Sequence, residues 1–159
     1  MFVNRLTQGF RYFEISSTLY FLFILILINK SNAQDNECDF GISLTTILST
    51  ESIRNTNYPN KNSGAEHCTW HVATDANARV NMTCNEFDVP SSLLCATQSL
   101  DVYTNPGAPI ANLIPQIYCG TGSFSLMSVN SSLDIIYRST LLGKPARFYC
   151  TVSVFVPNQ

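Results

Sequence analysis

His67 and His71 are the only histidines in the 159-residue chain, and their spacing of four is the first place to look for chemistry. On a helix that spacing could hold a zinc ion. The residues between and after them, Cys68-Thr69-Trp70 and Val72, alternate instead as a strand does. Four residues along a strand span about 13 Å, from ~3.3 Å per residue, too far for two imidazoles to share an ion. Both histidines are therefore expected at a solvent edge, with Trp70 in the core. No Gly-x-Ser-x-Gly elbow is present, and Ser123 in Gly120-Thr121-Gly122-Ser123 lacks the second glycine. No P-loop, dinucleotide fingerprint or pair of catalytic carboxylates can be found. The expectation is a protein that binds without catalysing, and that uses no cofactor.

The cysteines carry more. There are six, Cys38, Cys68, Cys84, Cys95, Cys119 and Cys150, and none has a Cys-x-x-Cys partner. An even count behind an export signal reads as a disulfide framework in an oxidising compartment, not as a metal or redox site. The export signal is the uninterrupted apolar run Leu19–Ile28, preceded by Arg5 and Arg11 and followed by Ser31-Asn32-Ala33. About ten apolar residues make a signal-peptide core; spanning a bilayer takes roughly 20. Cleavage is expected before Gln34, making 1–33 a signal peptide and 34–159 one mature domain, secreted and extracellular. The alternative is an uncleaved anchor, which the long first region with Glu14 would suit. Without Arg5, Arg11, Lys30 and Glu14, nine basic and eleven acidic residues become six and ten, a net charge of −4. That balance, with no basic cluster, argues against nucleic acid or an anionic membrane as partner.

Short alternating runs separated by turns predict an all-β sandwich or barrel for the elements that carry these residues. Val80, Met82 and Cys84 share one face of the 78–84 run. Leu133, Ile135 and Tyr137 share one face of the 133–137 run, and Phe148, Cys150, Val152 and Val154 one face of the last. Asn57-Tyr58-Pro59-Asn60 and Thr104-Asn105-Pro106-Gly107 are turns by composition. No 3.6-residue apolar period is sustained after the leader, so helix should be scarce. Cys84 and Cys150 fall on the inward parity of their strands, where a bridge could cross the core. The other four cysteines are expected at strand ends or in loops. Parity alone does not choose among the fifteen connectivities that six cysteines allow.

In order along the chain, Cys38, Asn57-Tyr58-Pro59, Cys68-Thr69-Trp70, Phe87-Asp88-Val89, Tyr118-Cys119-Gly120, Leu133–Ser139 and Ala146-Arg147-Phe148 resemble the CUB domain. The resemblance implies a two-sheet antiparallel β-sandwich, jelly-roll-like, with a core over 38–154. It implies bridges Cys38–Cys68 and Cys95–Cys119, which leaves Cys84–Cys150. The third pair, with Asn-x-Thr-Cys before Phe87 and a closing Phe-Tyr-Cys-Thr-Val, resembles the six-cysteine CUB domains of insect secreted proteins. There the domain either stands alone as a venom component or precedes a trypsin-like protease.

Many CUB domains hold calcium through three acidic residues in loops at one end, and that ion orders a surface which grips a partner lysine. Those positions fall here on Pro90, Gln98 and Thr140. Calcium needs six to eight oxygens and usually several carboxylates, so no metal site is expected. Asp88 and Asp101 are near in sequence, but Asp101 replaces Gln98 only with a three-residue shift. The same loops carry Leu93, Leu94, Leu141 and Leu142, a partner patch if the loops converge. The alternative is that Leu94 and Leu142 turn inward and cap the core. Asn81-Met82-Thr83 and Asn130-Ser131-Ser132 are glycosylation sequons, Asn81 on an outward strand parity and Asn130 in a turn. The expectation is a secreted, non-catalytic CUB binding protein, of venom or secretory fluid, acting through a protein ligand. The alternatives are a regulatory module at the head of a trypsin-like zymogen and a carbohydrate-binding module.

Overall fold

Period-two alternation forces strands here, because only an extended chain places every second side chain on one face. The computed structural model describes residues 36–157; the expected leader and the cleavage position before Gln34 lie outside the described residues. Nine strands follow: β1 (Asn36–Leu44), β2 (Thr50–Arg54), β3 (Glu66–Thr74), β4 (Arg79–Val89), β5 (Gln98–Tyr103), β6 (Gln116–Tyr118), β7 (Gly120–Met127), β8 (Ser132–Ser139) and β9 (Arg147–Phe155). Among the described residues, helix is limited to three-residue 3-10 turns at Leu93–Cys95 and Ile110–Asn112.

One sheet runs β1-β3-β8-β5-β6 and the other β2-β9-β4-β7, the two-sheet sandwich that the strand pattern and the resemblance predict. One pairing departs from the antiparallel expectation. β1 lies parallel to β3, with Cys38 opposite Cys68. Parallel neighbours need a long connection, and here the chain returns through β2 in the opposite sheet before entering β3.

The inward faces meet in an aromatic core. Trp70, buried as expected, packs edge-on to Phe148 at 6.2 Å between ring centroids. Phe148 lies 4.9 Å from Tyr137 and 6.5 Å from Phe87, and Phe87 meets Phe124 edge-on at 5.2 Å. In β4 the inward series Val80, Met82, Cys84 changes parity to Phe87 and Val89. The cause is a bulge: Cys84 faces Cys150 and Glu86 faces Tyr149, leaving Asn85 as the extra residue.

Three bridges tie the frame: Cys38–Cys68, Cys84–Cys150 and Cys95–Cys119. Two placements differ from expectation. Cys84 and Cys150 face inward but belong to neighbouring strands of one sheet, with Cα atoms 3.9 Å apart, so their bridge does not cross between sheets. Cys38 and Cys68 lie within β1 and β3, not at strand ends or in loops. Cys95–Cys119 joins the Leu93–Cys95 turn to the short junction between β6 and β7.

Candidate functional site

At one end of the sandwich three inward series finish on polar residues instead of apolar ones. β3 begins with Glu66 before Cys68 and Trp70, β5 with Gln98 before Leu100 and Val102, and β8 ends with Ser139 after Tyr137. All three are buried, as is Asn55 just beyond β2. Buried polar groups must find partners, and here the partners are the loops. Gln98 Nε2 donates to the Lys144 carbonyl at 2.7 Å and to Ser139 Oγ at 3.3 Å, while Gln98 Oε1 accepts from Lys144 N–H at 3.1 Å. Ser139 Oγ donates to the Gly64 carbonyl at 2.7 Å. Glu66 accepts from Thr56 N–H, Thr56 Oγ1 and Asn62 Nδ2 at 3.0, 2.6 and 2.5 Å. Beneath them the Tyr137 hydroxyl is pushed up to about 12, first by burial and then by the charge of Glu66. It stays neutral at any physiological pH.

This network braces the two leucine loops. Thr140 N–H donates to the Thr97 carbonyl at 3.0 Å, and Gly143 N–H closes the 140–143 turn on Thr140 at 2.9 Å. A Cβ at Gly143 would stand 2.9 Å from the Thr140 carbonyl and closer still to Ser139 Oγ, so the turn accepts no side chain there. The 92–97 loop is held by Cys95 N–H and Thr97 N–H on Ser92, at 3.1 Å each, and by the Cys95–Cys119 bridge. Leu94 and Cys95 sit at φ 53° and 55°, a left-handed conformation that costs non-glycine residues on the order of 1–3 kcal/mol each.

The two loops meet at their roots, where Thr140 N–H reaches the Thr97 carbonyl, and Leu94 and Leu142 do not turn inward. Leu93, Leu94, Leu141 and Leu142 are 86%, 87%, 67% and 84% exposed, because the network already closes the core beneath them. Leu94, Thr140, Ile117 and Arg138 line a depression of about 290 Å³ between the loops and the edge strand β6. Asp101 is buried on the outward face of β5 and pairs with Arg138 Nη2, while Asp88 pairs with Lys61 at 2.5 Å. Both acids near the family's calcium positions are thus committed to cations of this chain.

The residues at those positions do not fit calcium. Pro90 and Thr140 bring no carboxylate, and the one side-chain oxygen of Gln98 is bonded to Lys144 N–H. Among the described residues no cluster of three His, Cys, Asp or Glu side chains is placed to hold a metal. Gln98→Leu should therefore leave the part-buried Lys144 N–H and carbonyl without their side-chain partner. A loss of about 1–3 kcal/mol is expected, read as a lower denaturation midpoint; an unchanged midpoint would show that the brace is idle.

The remaining residues lie elsewhere. His67 and His71 are exposed on the outer face of β3. His71 Nδ1 lies 2.9 Å from Asp134 and Nε2 3.5 Å from Asp39, and the hydrogen bond to Asp134, with both carboxylate charges, raises its pKa against a smaller effect of burial. Ser123 is exposed on β7. Asn130 is exposed in the β7–β8 turn and donates to Asn105 Oδ1 at 2.9 Å. Asn81 is half-buried on β4 between Ser153 and Met127. A second concavity of about 560 Å³ opens between the edge strands β1 and β2, beside Phe40 and Trp70.

The CUB domain model matches residues 38–149, and the chain belongs to that family. Tolloid-like protein 2 of Homo sapiens is 30% identical over 70 residues, 44% of this chain and 7% of that protein. A cubilin homolog of Drosophila melanogaster is 37% identical over 99 residues, 58% of this chain and 3% of that protein. The chain thus spans a small fraction of these relatives. Among solved structures, the CUB1-EGF-CUB2 domains of rat MASP-1 superpose with a TM-score of 0.59 at 18% identity, over 72% of this chain and 42% of that one. The MASP-1 CUB2 domain bound to Ca2+ gives 0.54 at 15% identity, over 70% of this chain and 96% of that one. These likenesses establish the fold.

Proposed function

We propose that the chain is a secreted, non-catalytic binding protein that meets a protein partner through the loop end, without calcium. A secretory or venom fluid is its setting, residues 1–33 are its signal peptide, and 34–159 make one CUB domain. Membership in a family of extracellular interaction modules, found in tolloid-like proteins and cubilin, supports the binding role. The observation that carries the placement is the exposure of all four leucines on loops braced from within. Exposed apolar side chains gathered at one place mark interaction sites far more than scattered ones do. We also propose a glycan on Asn130, whose turn leaves room for it, and on Asn81, whose outward parity directs it off the sheet.

Each leucine buried against a partner supplies roughly 1.5–3 kcal/mol before the costs of association. Leu93→Ser with Leu141→Ser should therefore abolish recovery of partners from the native fluid and any self-association, with the melting temperature little changed. Unaltered recovery and self-association by the folded double variant would reject the patch.

A further inference from the structure

We infer that the open side of the sandwich, between edge strands β1 and β2, takes an extended segment of a protein partner that sets one lysine or arginine side chain between the sheets. The concavity there, about 560 Å³, is of the size of ligand-binding clefts, about 300–1,000 Å³. Its walls are strands that each end a sheet, so each has one edge with no strand beside it among the described residues. Free edges of this kind are where extended segments are received. Gly41, in the middle of β1, has nothing within 4 Å of where a Cβ would stand, which leaves room for a second backbone to approach. The cleft is lined by apolar groups: Trp70, Ile42 and the Cys38–Cys68 bridge. Phe40 gives one ring face to Trp70, at 5.8 Å between centroids and 19° between planes. It is 47% exposed, since β1 is the last strand of its sheet.

Strand parity singles out one charge in this cleft. Glu51 lies opposite Val152 and shares the inward face of β2 with Ile53, so its carboxylate is directed between the sheets. Among the described residues no cation stands within ion-pair distance of it. Glu37 and Arg54 border the cleft, but parity directs Glu37, with Asp39, to the outer face of β1 and Arg54 to the outer face of β2. Asp39 lies 3.5 Å from His71, which with His67 is on the outer face of β3. The two edges together hold three carboxylates and one guanidinium, and the one carboxylate turned inward faces apolar and aromatic groups. A lysine or arginine entering here meets Glu51 with its charge, lays its stem along Ile42 and covers the open face of Phe40. A second copy meeting this side edge to edge would set acids against acids.

The chain has a single tryptophan and it lines the cleft, so Trp70 emission reports on occupancy. The test pans a displayed library of random peptides on the secreted full chain, then titrates synthetic forms of the enriched sequences against that emission. Enriched peptides should carry Lys or Arg among β-branched and other apolar residues, and should shift Trp70 emission. Their affinity should fall at least ~10-fold with Glu51→Gln, a change of about 1.4 kcal/mol. It should fall several-fold with Phe40→Leu and with added salt. Glu37→Gln, on the outer face, should matter much less, and Leu93→Ser with Leu141→Ser not at all. Each variant is first shown to melt cooperatively. Enriched peptides without a basic residue, or basic peptides that bind Glu51→Gln equally well, would overturn the inference. So would no enrichment beyond that on Glu51→Gln, or binding that only the leucine double variant abolishes; the latter would leave the loop end standing as the docking surface. Spermidine that shifts Trp70 emission with the affinity of the peptides would replace the protein segment with a small amine.

Discussion

Reducing the three disulfides is expected to unfold the domain. The bridges close loops of 30, 66 and 24 residues, and in the chain-entropy view each contributes about 3–4 kcal/mol. Their sum is comparable with the whole stability of a small domain, about 5–15 kcal/mol. Cys84–Cys150 closes the longest loop and sits fully buried between neighbouring strands, so Cys84→Ala with Cys150→Ala should cost about 4 kcal/mol by itself. Denaturant titrations of oxidised and reduced protein give the measurement, and peptide maps made without reductant should show all three pairs. A free thiol at Cys84, or a reduced chain that keeps its cooperative transition, would contradict the framework.

Phe148→Ala is the second large effect, an expected loss of about 3–5 kcal/mol. The ring is fully buried where both sheets meet, against Trp70, Tyr137 and Phe87. Its backbone N–H also donates to buried Asn55 Oδ1 at 3.2 Å, so a shift of β9 would disturb the loop after β2 as well. Phe155→Ala, on the same strand but 42% exposed, serves as the control and should cost far less. Equal costs at the two positions would mean that the aromatic core is not where stability resides.

Much of this fold is legible in the sequence, because alternation reports directly on which side chains face inward. Val80, Met82, Cys84, Leu133, Ile135, Tyr137, Phe148, Cys150 and Val152 all take the buried side that parity assigns. Parity is silent on which strands adjoin, so it could not place Cys84 and Cys150 side by side in one sheet. It also could not foresee that β1 pairs parallel with β3, since that depends on the excursion through β2. The bulge at Asn85 was open to view, because Cys84 and Phe87 are both apolar yet three apart.

The loop end is only half legible. The loss of acids at Pro90, Gln98 and Thr140 can be read directly, and so can the leucines that flank them. What braces the loops is harder to see. Glu66, Gln98 and Ser139 each put a polar group on the inward parity of an apolar strand, and that mismatch is the signal that a buried network lies there. Glu66 is met by Thr56 and Asn62, but the partners of Gln98 and Ser139 include backbone groups of Lys144 and Gly64, which no side-chain pattern encodes.

Thermal unfolding of the secreted protein in millimolar calcium, and again in excess chelator, tests most directly whether this end is ordered by its own side chains. The two transitions should superimpose, because Gln98 and its neighbours already hold the loops together. An ion bound at a hundredfold excess over its Kd would add about 2.7 kcal/mol. A calcium-dependent rise of several degrees that chelator reverses would contradict the account and show that other oxygens rebuild the site.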